Sequence, residues 1–327
     1  MALKSTSERI RLLALGHGAE RRPVGCPTSP SLVPRRPPSP QQRASEKFVI
    51  AKHHKPTSDH ARAPRTWPTT SQPASSTRTE ALRARGIPVR RIPYLLPSAS
   101  KDYSNDPRFY DCWSKLAPFS LTEYARVVQL DSDMLVLRNM DELMTLPLDD
   151  SAVSEAGDAA ASLRKPHYPK DWVPDNCAFT FQHDDPETAQ THGIDPSVGP
   201  LGFMNGGLQV VNPSKVLYQQ IIDHMEADAA NMDFADQSLL SDLYRGRWVP
   251  LPYTYNALKT LRWPGVHDAI WRDDQVKNIH YILSPKPWDE LDAQGQWTGT
   301  EESHRWWVDV NRDRKADERQ RGIDDGF

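Results

Sequence analysis

RVVQLDSDMLVL, residues 126–137, places two carboxylates inside a run of mostly apolar residues. The run is short and rich in β-branched residues, which is typical of a buried strand. A buried ionised carboxylate is very unfavourable unless it is paired or binds a metal. Asp131 and Asp133 therefore require a partner, and the rest of the chain indicates which one.

The composition bounds the class of protein. The 327 residues allow one large or two ordinary domains. The hydrophobic fraction of 38% and the mean hydropathy of −0.67 indicate that part of the chain is not packed. The net charge of −3 provides no basic field for nucleic acid or a membrane surface. No apolar run approaches the roughly 20 residues of a membrane span, so none is predicted.

The cysteines indicate a reducing compartment. Cys26, Cys112 and Cys177 are widely spaced and form no CxxC pair. A disulfide framework or a zinc site is therefore not expected, and we predict a cytoplasmic protein.

The chain divides into three parts by composition. Residues 1–79 are rich in Pro, Ser, Thr and Arg, which predicts a disordered, low-complexity segment with one strand-like island at 47–51. A basic, proline-rich docking tail is the functional alternative for this segment. Residues 80–300 form the predicted globular domain. Residues 301–327 are charged and are expected to be a solvated tail.

Strands alternate with helices from residue 80 onward, which predicts an α/β layered sheet. The strand candidates are RVVQLDSD (126–133), AVSEAG (152–157), FMNGGLQVVNPS (203–214, entered through a Gly-Gly turn), WVPLPYTYNAL (248–258) and VKNIHYIL (276–283). The helix candidates include SKVLYQQIIDHMEAD (214–228) and DQSLLSDLYRG (236–246). The irregular residues 162–200 are expected to form a loop over the site.

The acidic pair lies where a strand of this sheet emerges. In open α/β sheets, ligands bind at the carboxyl ends of strands. One residue separates Asp131 from Asp133, so both can turn toward one ion, and carboxylates suit Mg²⁺ or Mn²⁺. Such an ion can bind a substrate diphosphate. An Asp turn with a capping role explains the same residues without a ligand, and a bare Asp-x-Asp does not decide.

Two further stretches have both a functional and a structural explanation. Asn205 and Gly206 precede a strand where backbone can approach a ligand closely, although an ordinary turn explains them as well. Asp233, Asp236 and Gln237 lie at a helix start, where acids are favoured by capping anyway.

A third stretch, HYILSPKPW (280–288), offers a nitrogen ligand and a cation. His280 can bind a metal, and Lys286 can bind phosphate. A histidine at a strand end is also often a hydrogen-bonded core residue.

Four ordered blocks resemble family 8 glycosyltransferases, the glycogenin and galactinol synthase group. The blocks are KLAPFSLTEYARVVQLDSDMLVLRNMDEL, FMNGGLQVVNPS, DQSLLSDLYRGRWVPLPYTYN and HYILSPKPW, and the resemblance covers about residues 80–290. It implies a Rossmann-like nucleotide-diphosphosugar transferase fold with a mostly parallel sheet. It also implies retaining transfer of a hexosyl group from a UDP-sugar donor to an acceptor, with Mn²⁺ as cofactor and Mg²⁺ as the alternative.

The resemblance also implies roles around the metal. Asp131, Asp133 and His280 would bind Mn²⁺. Lys286 would hold the diphosphate of the donor, and Ser132 would lie near the nucleotide ribose.

Around the donor sugar, the resemblance implies a second set of roles. Lys115 would contact the donor, and Asn205 with the adjacent Gly206, Asp233 and Gln237 would surround its sugar. Asp236 matches the position of an acceptor-activating base or transient nucleophile.

Two departures from the family pattern leave alternatives open. The family opens with a strand-helix-strand unit that receives the nucleotide base, and here the proline-rich stretch stands in its place. This first unit is therefore expected to be missing, which leaves a catalytically inactive scaffold or a mispredicted reading frame as alternatives. The second departure is Leu283, where the family often has glycine.

The acceptor and the assembly stay open. Self-glucosylation would use Tyr253 or Tyr255, but tyrosine is also ordinary in strands. The partners expected are the donor and an unknown acceptor, with no nucleic acid, and a homodimer remains an alternative.

Overall fold

A computed structural model describes residues 49–50, 76–87, 89–90, 92–104, 108–148, 154–157, 176–195, 204–245 and 247–325. The described strands are β1 Val49–Ile50, β2 Val89–Arg90, β3 Val127–Leu130, β4 Met134–Val136, β5 Ser154–Gly157, β6 Met204–Val211, β7 Val249–Leu251, β8 Ala257–Leu258 and β9 Asn278–His280. The described α-helices are α1 Ser76–Ala84, α2 Arg108–Cys112, α3 Lys215–Asp228, α4 Asp236–Leu243 and α5 Glu302–Gln320. Short 3-10 helices include Trp113–Ser120, Asp141–Met144, Lys259–Arg262 and Pro287–Glu290.

The strands around the acidic stretch belong to two sheets. One sheet has the order β3-β6-β5-β7, and the other has the order β4-β9-β8. The strand β3 ends at Leu130 and β4 begins at Met134, so the chain crosses from one sheet to the other through the three residues between them. Asp131 and Asp133 therefore lie at the junction of the two sheets.

The predicted α/β class is confirmed, and the pairing is mixed rather than mostly parallel. The described parallel pairs are β1 with β2, β5 with β7 and β8 with β9. The described antiparallel pairs are β3 with β6, β5 with β6 and β4 with β9. Each sheet is mixed, because β6 runs against both of its neighbours in the larger sheet and β4 runs against β9 in the smaller one.

A short strand-helix-strand unit lies where the sequence predicts that the first unit is missing. The strand β1 pairs in parallel with β2, with Val49 opposite Val89, and α1 lies between them in the chain. The strand-like island at 47–51 accounts for β1. The remainder of the segment predicted to be disordered, up to residue 75, lies outside the described residues.

The predicted Gly-Gly turn before the third strand is wrong. Gly206 and Gly207 lie inside β6, which is buried at all eight positions. The neighbouring strand β5 shifts its register between Glu155 and Ala156, and Ala156 then pairs with Asn205. The glycines are needed in the strand because other side chains approach their Cα atoms, as the site below shows.

The core lies under both sheets and the helices. The larger cluster combines the 3-10 helix Trp113–Ser120 with α3, α4 and the segment around Trp271; it includes Trp113, Leu116, Phe119, Met204, Ile221, Met225, Leu239, Leu240, Tyr253, Ile270 and Ile279. A smaller cluster on the other side of β3 and β6 includes Val128, Val136, Leu143 and Val210. No described helix is long and apolar enough to cross a bilayer.

The predicted solvated tail is a 19-residue helix, α5. This helix has an apolar face that its many charged residues obscure in the sequence. Trp306, Trp307 and Val310 on that face pack against the larger core. Glu318, near the end of the helix, is buried and accepts hydrogen bonds from Arg85 and Arg314 at 2.6–2.8 Å. The helix therefore fastens the end of α1 to the body of the domain.

Part of the segment predicted to be a loop over the site is core. Within residues 176–195, Cys177 and Phe179 are buried. The Sγ of Cys177 lies 3.3 Å from His267 Nε2, and His183 Nε2 lies 2.9 Å from Nδ1 of the same ring. Cys112 is partly buried.

Replacing Glu318 tests the attachment of α5. Glu318→Ala leaves two partly buried guanidinium groups without this acceptor, and we expect a loss of roughly 1–3 kcal/mol in the free energy of unfolding. The matched control is Asp309→Ala on the same helix, whose exposed pair with Arg312 should contribute less than about 1 kcal/mol. Urea midpoints at unchanged slope measure both losses. Equal losses in the two variants would show that α5 is not fastened through Glu318.

His267 should make the fold sensitive to acid. Burial, together with the neighbouring His183, lowers the pKa of His267 to about 4. The unfolded imidazole has a pKa of about 6.5, so between these values the unfolded chain binds a proton that the folded chain does not, and stability falls as the pH falls. We expect this group to remove about 2 kcal/mol between pH 7 and pH 5.

Urea unfolding at both pH values measures this effect as the difference between wild type and His267→Gln. The exposed His192, replaced in His192→Gln, is the control and should keep the wild-type pH dependence. An unchanged pH dependence in His267→Gln would refute the assignment.

Candidate active site

The junction between the two sheets holds the acidic pair by its backbone. The amide of Asp131 donates to the carbonyl of Gly207 at 2.8 Å, and the carbonyl of Asp133 accepts from the amide of Tyr281 at 2.9 Å. Asp131 is thereby tied to β6, and Asp133 is tied to the residue that follows β9. Both side chains are half-buried and turn toward the same point.

His280, the last residue of β9, lies beside both aspartate side chains. Its Nε2 lies 3.1 Å from Asp133 Oδ1 and 4.0 Å from Asp131 Oδ2. One ligand atom of each of the three residues lies within 4.8 Å of the others, the one group of this kind in the described part of the chain. Two carboxylates and an imidazole fit a divalent cation such as Mn²⁺, with the remaining positions open to water or phosphate.

Two asparagines orient the imidazole. His280 Nδ1 lies 2.9 Å from Asn256 Oδ1, and Asn256 Nδ2 donates to Asn205 Oδ1 at 2.9 Å. A contact from Nδ1 to the amide oxygen fixes the plane of the ring and directs Nε2 toward the two carboxylates, which is how outer hydrogen bonds orient a metal ligand. Asn205, assigned to the donor sugar from the resemblance, thus lies behind His280. Sequence reasoning assigned no role to Asn256, although it ends the block DQSLLSDLYRGRWVPLPYTYN.

Each aspartate has a lysine partner. Lys115 Nζ donates to Asp131 Oδ2 at 2.7 Å and to the carbonyl of Gly206 at 3.4 Å. Lys286 Nζ donates to Asp133 Oδ2 at 2.6 Å and also contacts the carbonyl of Tyr281. The two ion pairs neutralise the acids that the sequence places at the end of a buried strand.

The surrounding charges shift the pKa values of Asp133 and Lys115. Burial alone would raise the pKa of Asp133, but the positive charges of His280 and Lys286 lower it well below its ordinary value. Burial alone would lower the pKa of Lys115, but Asp131 and Asp236 raise it above its ordinary value. Opposite charges this close outweigh the loss of hydration.

The start of α4 forms the second wall of the site. Asp236 is buried, and a Cβ on Gly206 would lie 2.9 Å from its Oδ2. Gln237 Oε1 accepts from the amide of Gly206 at 2.9 Å. Ala235, directly before Asp236, has φ +46°, a left-handed conformation that is strained for a residue with a side chain.

Asp233 and Ser132 lie at the rim instead. Asp233 is exposed and forms an ion pair with Lys101, and Ser132 is exposed between the two aspartates. The structure thus brings Lys115, Asp131, Asp133, His280 and Lys286 into direct contact, with Asn205, Gly206, Asp236 and Gln237 packed around them.

Leu283 keeps a glycine-like backbone. Its φ is +60°, in the left-handed region that favours glycine. The position at which the family often has glycine thus has a glycine-like φ here as well. The conformation is maintained at a local cost on the order of 1 kcal/mol.

Most of this chain is similar to known proteins. The family described as Glycosyl transferase family 8 matches residues 76–292. Galactinol synthase 1 of Solanum lycopersicum is 27% identical over 254 residues, which cover 74% of this chain and 70% of that protein. Galactinol synthase 4 of Arabidopsis thaliana is 25% identical, covering 73% and 69%. The solved glycosyltransferase GlyE of Streptococcus pneumoniae is 19% identical with a TM-score of 0.41, covering 70% of this chain and 48% of that one.

The two glycines of β6 allow a sharp test of the metal site. A Cβ on Gly207 would lie 2.6 Å from His280 Cε1 and 2.8 Å from its Nδ1. Gly207→Ala should therefore displace the imidazole and weaken Mn²⁺ binding about tenfold or more, measured by titration calorimetry. Gly206→Ala is the matched control, because its Cβ meets Asp236 and Gln237 instead. Equal Mn²⁺ affinity in the two variants would contradict the placement of His280 as a ligand.

Proposed function

This chain belongs to glycosyltransferase family 8, and we propose that it transfers a hexosyl group from a UDP-sugar to a separate acceptor, with retention of configuration and with Mn²⁺ as cofactor. The convergence of Asp131, Asp133 and His280 around one point carries this proposal. Mg²⁺ is the alternative ion, since carboxylates suit both.

The site suits the departure of a diphosphate. When the bond between the anomeric carbon and the phosphate oxygen breaks, its electron pair stays with UDP, and positive charge develops on the sugar. When bound, a divalent ion neutralises the diphosphate. Lys286 lies beside Asp133 at 2.6 Å, so its ammonium group is placed to bind the same phosphates. Fixed positive groups of this kind are often the largest catalytic contribution.

Lys115 supports the other side of the leaving group. It is held by Asp131 and by the carbonyl of Gly206, and its pKa is raised, so it stays protonated. We assign it to the donor, with Ser132 at the rim near the ribose. Asp233 is assigned to the donor sugar, where it would exchange its contact with Lys101 for sugar hydroxyls.

Asp236 and Gln237 are assigned to the sugar-transfer step. Both lie at the start of α4 against Gly206, and the carboxylate of Asp236 is close enough to influence Lys115. Asp236 acts as the base for the acceptor hydroxyl or as a transient nucleophile on the anomeric carbon. As a base, Asp236 takes the proton of the acceptor hydroxyl while the acceptor oxygen bonds to the anomeric carbon in place of UDP. As a nucleophile, its carboxylate first displaces UDP and is then displaced by the acceptor oxygen, whose proton passes to the released diphosphate.

The tyrosines considered for self-glucosylation favour a separate acceptor. Tyr253 is buried, and its hydroxyl donates to Gln190 Oε1 at 2.7 Å. The hydroxyl of Tyr255 donates to Glu142 Oε1 at 2.7 Å and accepts from Lys277. The two relatives described above are named galactinol synthases, after a product that is not the protein itself. Their names therefore also support a separate acceptor.

Release of UDP tests the proposed function. The full chain is incubated with Mn²⁺ and a panel of UDP-hexoses, and UDP release and hexose added to the protein are both measured. We expect Mn²⁺-dependent release from at least one donor, and a loss on the order of 10²-fold or more in Asp133→Asn. Asp309→Asn, on the exposed face of α5, is the control with an equal change in charge. Absence of both turnover and Mn²⁺-dependent UDP binding would refute the proposal and favour the inactive scaffold.

A further inference from the structure

One buried lysine, Lys259, lies outside the site described above and contacts the loop that carries Lys286. Lys259 follows β8, and β8 pairs in parallel with β9, with Leu258 opposite His280. Lys259 is 1% exposed, so its ammonium group has almost no access to a ligand. An ammonium group this deeply buried is retained only where its environment compensates the lost hydration.

The compensation comes from the loop that carries Lys286. Lys259 Nζ donates to the carbonyl of Pro285 at 2.6 Å. Pro285 directly precedes Lys286, whose ammonium group contacts Asp133. The buried lysine thus fixes the peptide group from which the phosphate-binding side chain extends.

The helix α5 supports the same contact from behind. His304 is fully buried, and its Nε2 lies 3.1 Å from Lys259 Nζ. His304 Nδ1 lies 2.7 Å from Glu290 Oε2, and its Nε2 also lies 3.1 Å from Glu301 Oε2, so the ring is held between the lysine and two carboxylates. Glu301 Oε2 lies 3.8 Å from the same ammonium group and supplies a second negative charge.

A second contact ties α5 to the loop. The hydroxyl of Tyr281 donates to the carbonyl of Ser303 at 2.8 Å, and the carbonyl of Tyr281 accepts from Lys286. Glu290 ends the 3-10 helix Pro287–Glu290, which begins directly after Lys286. The loop is therefore held on both sides of Lys286 by groups from α5 and by Lys259.

We propose that Lys259, supported by His304, is a positioning residue that holds the loop so that Lys286 meets the diphosphate of the donor. This inference rests on the proposed function, because it presumes that Lys286 binds the donor phosphates. Lys259 does not touch the donor, since it is buried and its ammonium group is taken up by Pro285 and His304.

Affinities for UDP and for uridine test the proposal, since uridine lacks the phosphates. Lys259→Met keeps the length of the side chain and removes the ammonium group. We expect this variant to weaken UDP binding about tenfold at saturating Mn²⁺, the size of effect found for residues that support a binding group without touching the ligand. Uridine binding should be unchanged. Lys277→Met is the matched control, because Lys277 pairs with Glu142 and Tyr255 at the other end of β9.

A double-variant cycle decides whether Lys259 acts through Lys286. Lys286→Ala should weaken UDP binding by a similar or larger factor. The double variant should then bind UDP no more weakly than Lys286→Ala alone, since residues that act as a unit are not additive. His304→Gln provides a second variant if Lys259→Met does not fold, with the same expected pattern.

The outcomes separate the inference from the proposed function. If Lys286→Ala weakens UDP binding but Lys259→Met and His304→Gln change only the unfolding midpoint, the inference is overturned and the proposed function stands. Additive losses in the double variant also overturn the inference. If Lys286→Ala leaves UDP affinity unchanged, both the inference and the assignment of Lys286 to the donor are overturned.

Discussion

Two carboxylates at the junction of two sheets must be neutralised, and the rest of the site follows from that requirement. Asp131 and Asp133 are half-buried where the chain passes from β3 to β4. The structure supplies one lysine for each acid and one imidazole for the pair. These are also the groups that a metal-bound diphosphate would use. The side chains that compensate the buried charge in the free protein are therefore those that would bind the anionic leaving group in the proposed reaction.

Close packing behind these charges depends on glycine. The strand β6 passes between His280 and Asp236, and a Cβ at Gly207 or Gly206 would collide with one or the other. Such a site tolerates little change, because interiors are packed to the density of organic crystals. Asn205 and Asn256 complete the layer behind the imidazole by hydrogen bonds rather than by apolar contact.

The sequence predicts the parts of the site whose neighbours lie nearby in the chain. The apolar run ending in Asp131 and Asp133, the glycines of β6 and the acidic start of α4 are all visible as short patterns. The resemblance to a family was needed to bring His280 and Lys286 to the same point, because no local pattern reports a contact between distant strands. Asn256 lies in one of the four blocks, but its role became evident only from its hydrogen bonds. The helix α5 was predicted to be a solvated tail because its charged residues outnumber its three apolar side chains that pack on the core, Trp306, Trp307 and Val310.

The helix α5 also sets the order in which the site can mature during synthesis. It is the last described element of the chain, yet His304 and Ser303 support the loop that carries Lys286. Because a chain emerges from the ribosome starting with its N-terminus, the acidic pair and the imidazole leave the exit tunnel before the helix that fixes the neighbouring loop. A nascent chain can therefore bring Asp131, Asp133 and His280 together while the neighbouring loop still lacks its contacts with α5. Lys286 gains that support only after the helix has also left the ribosome.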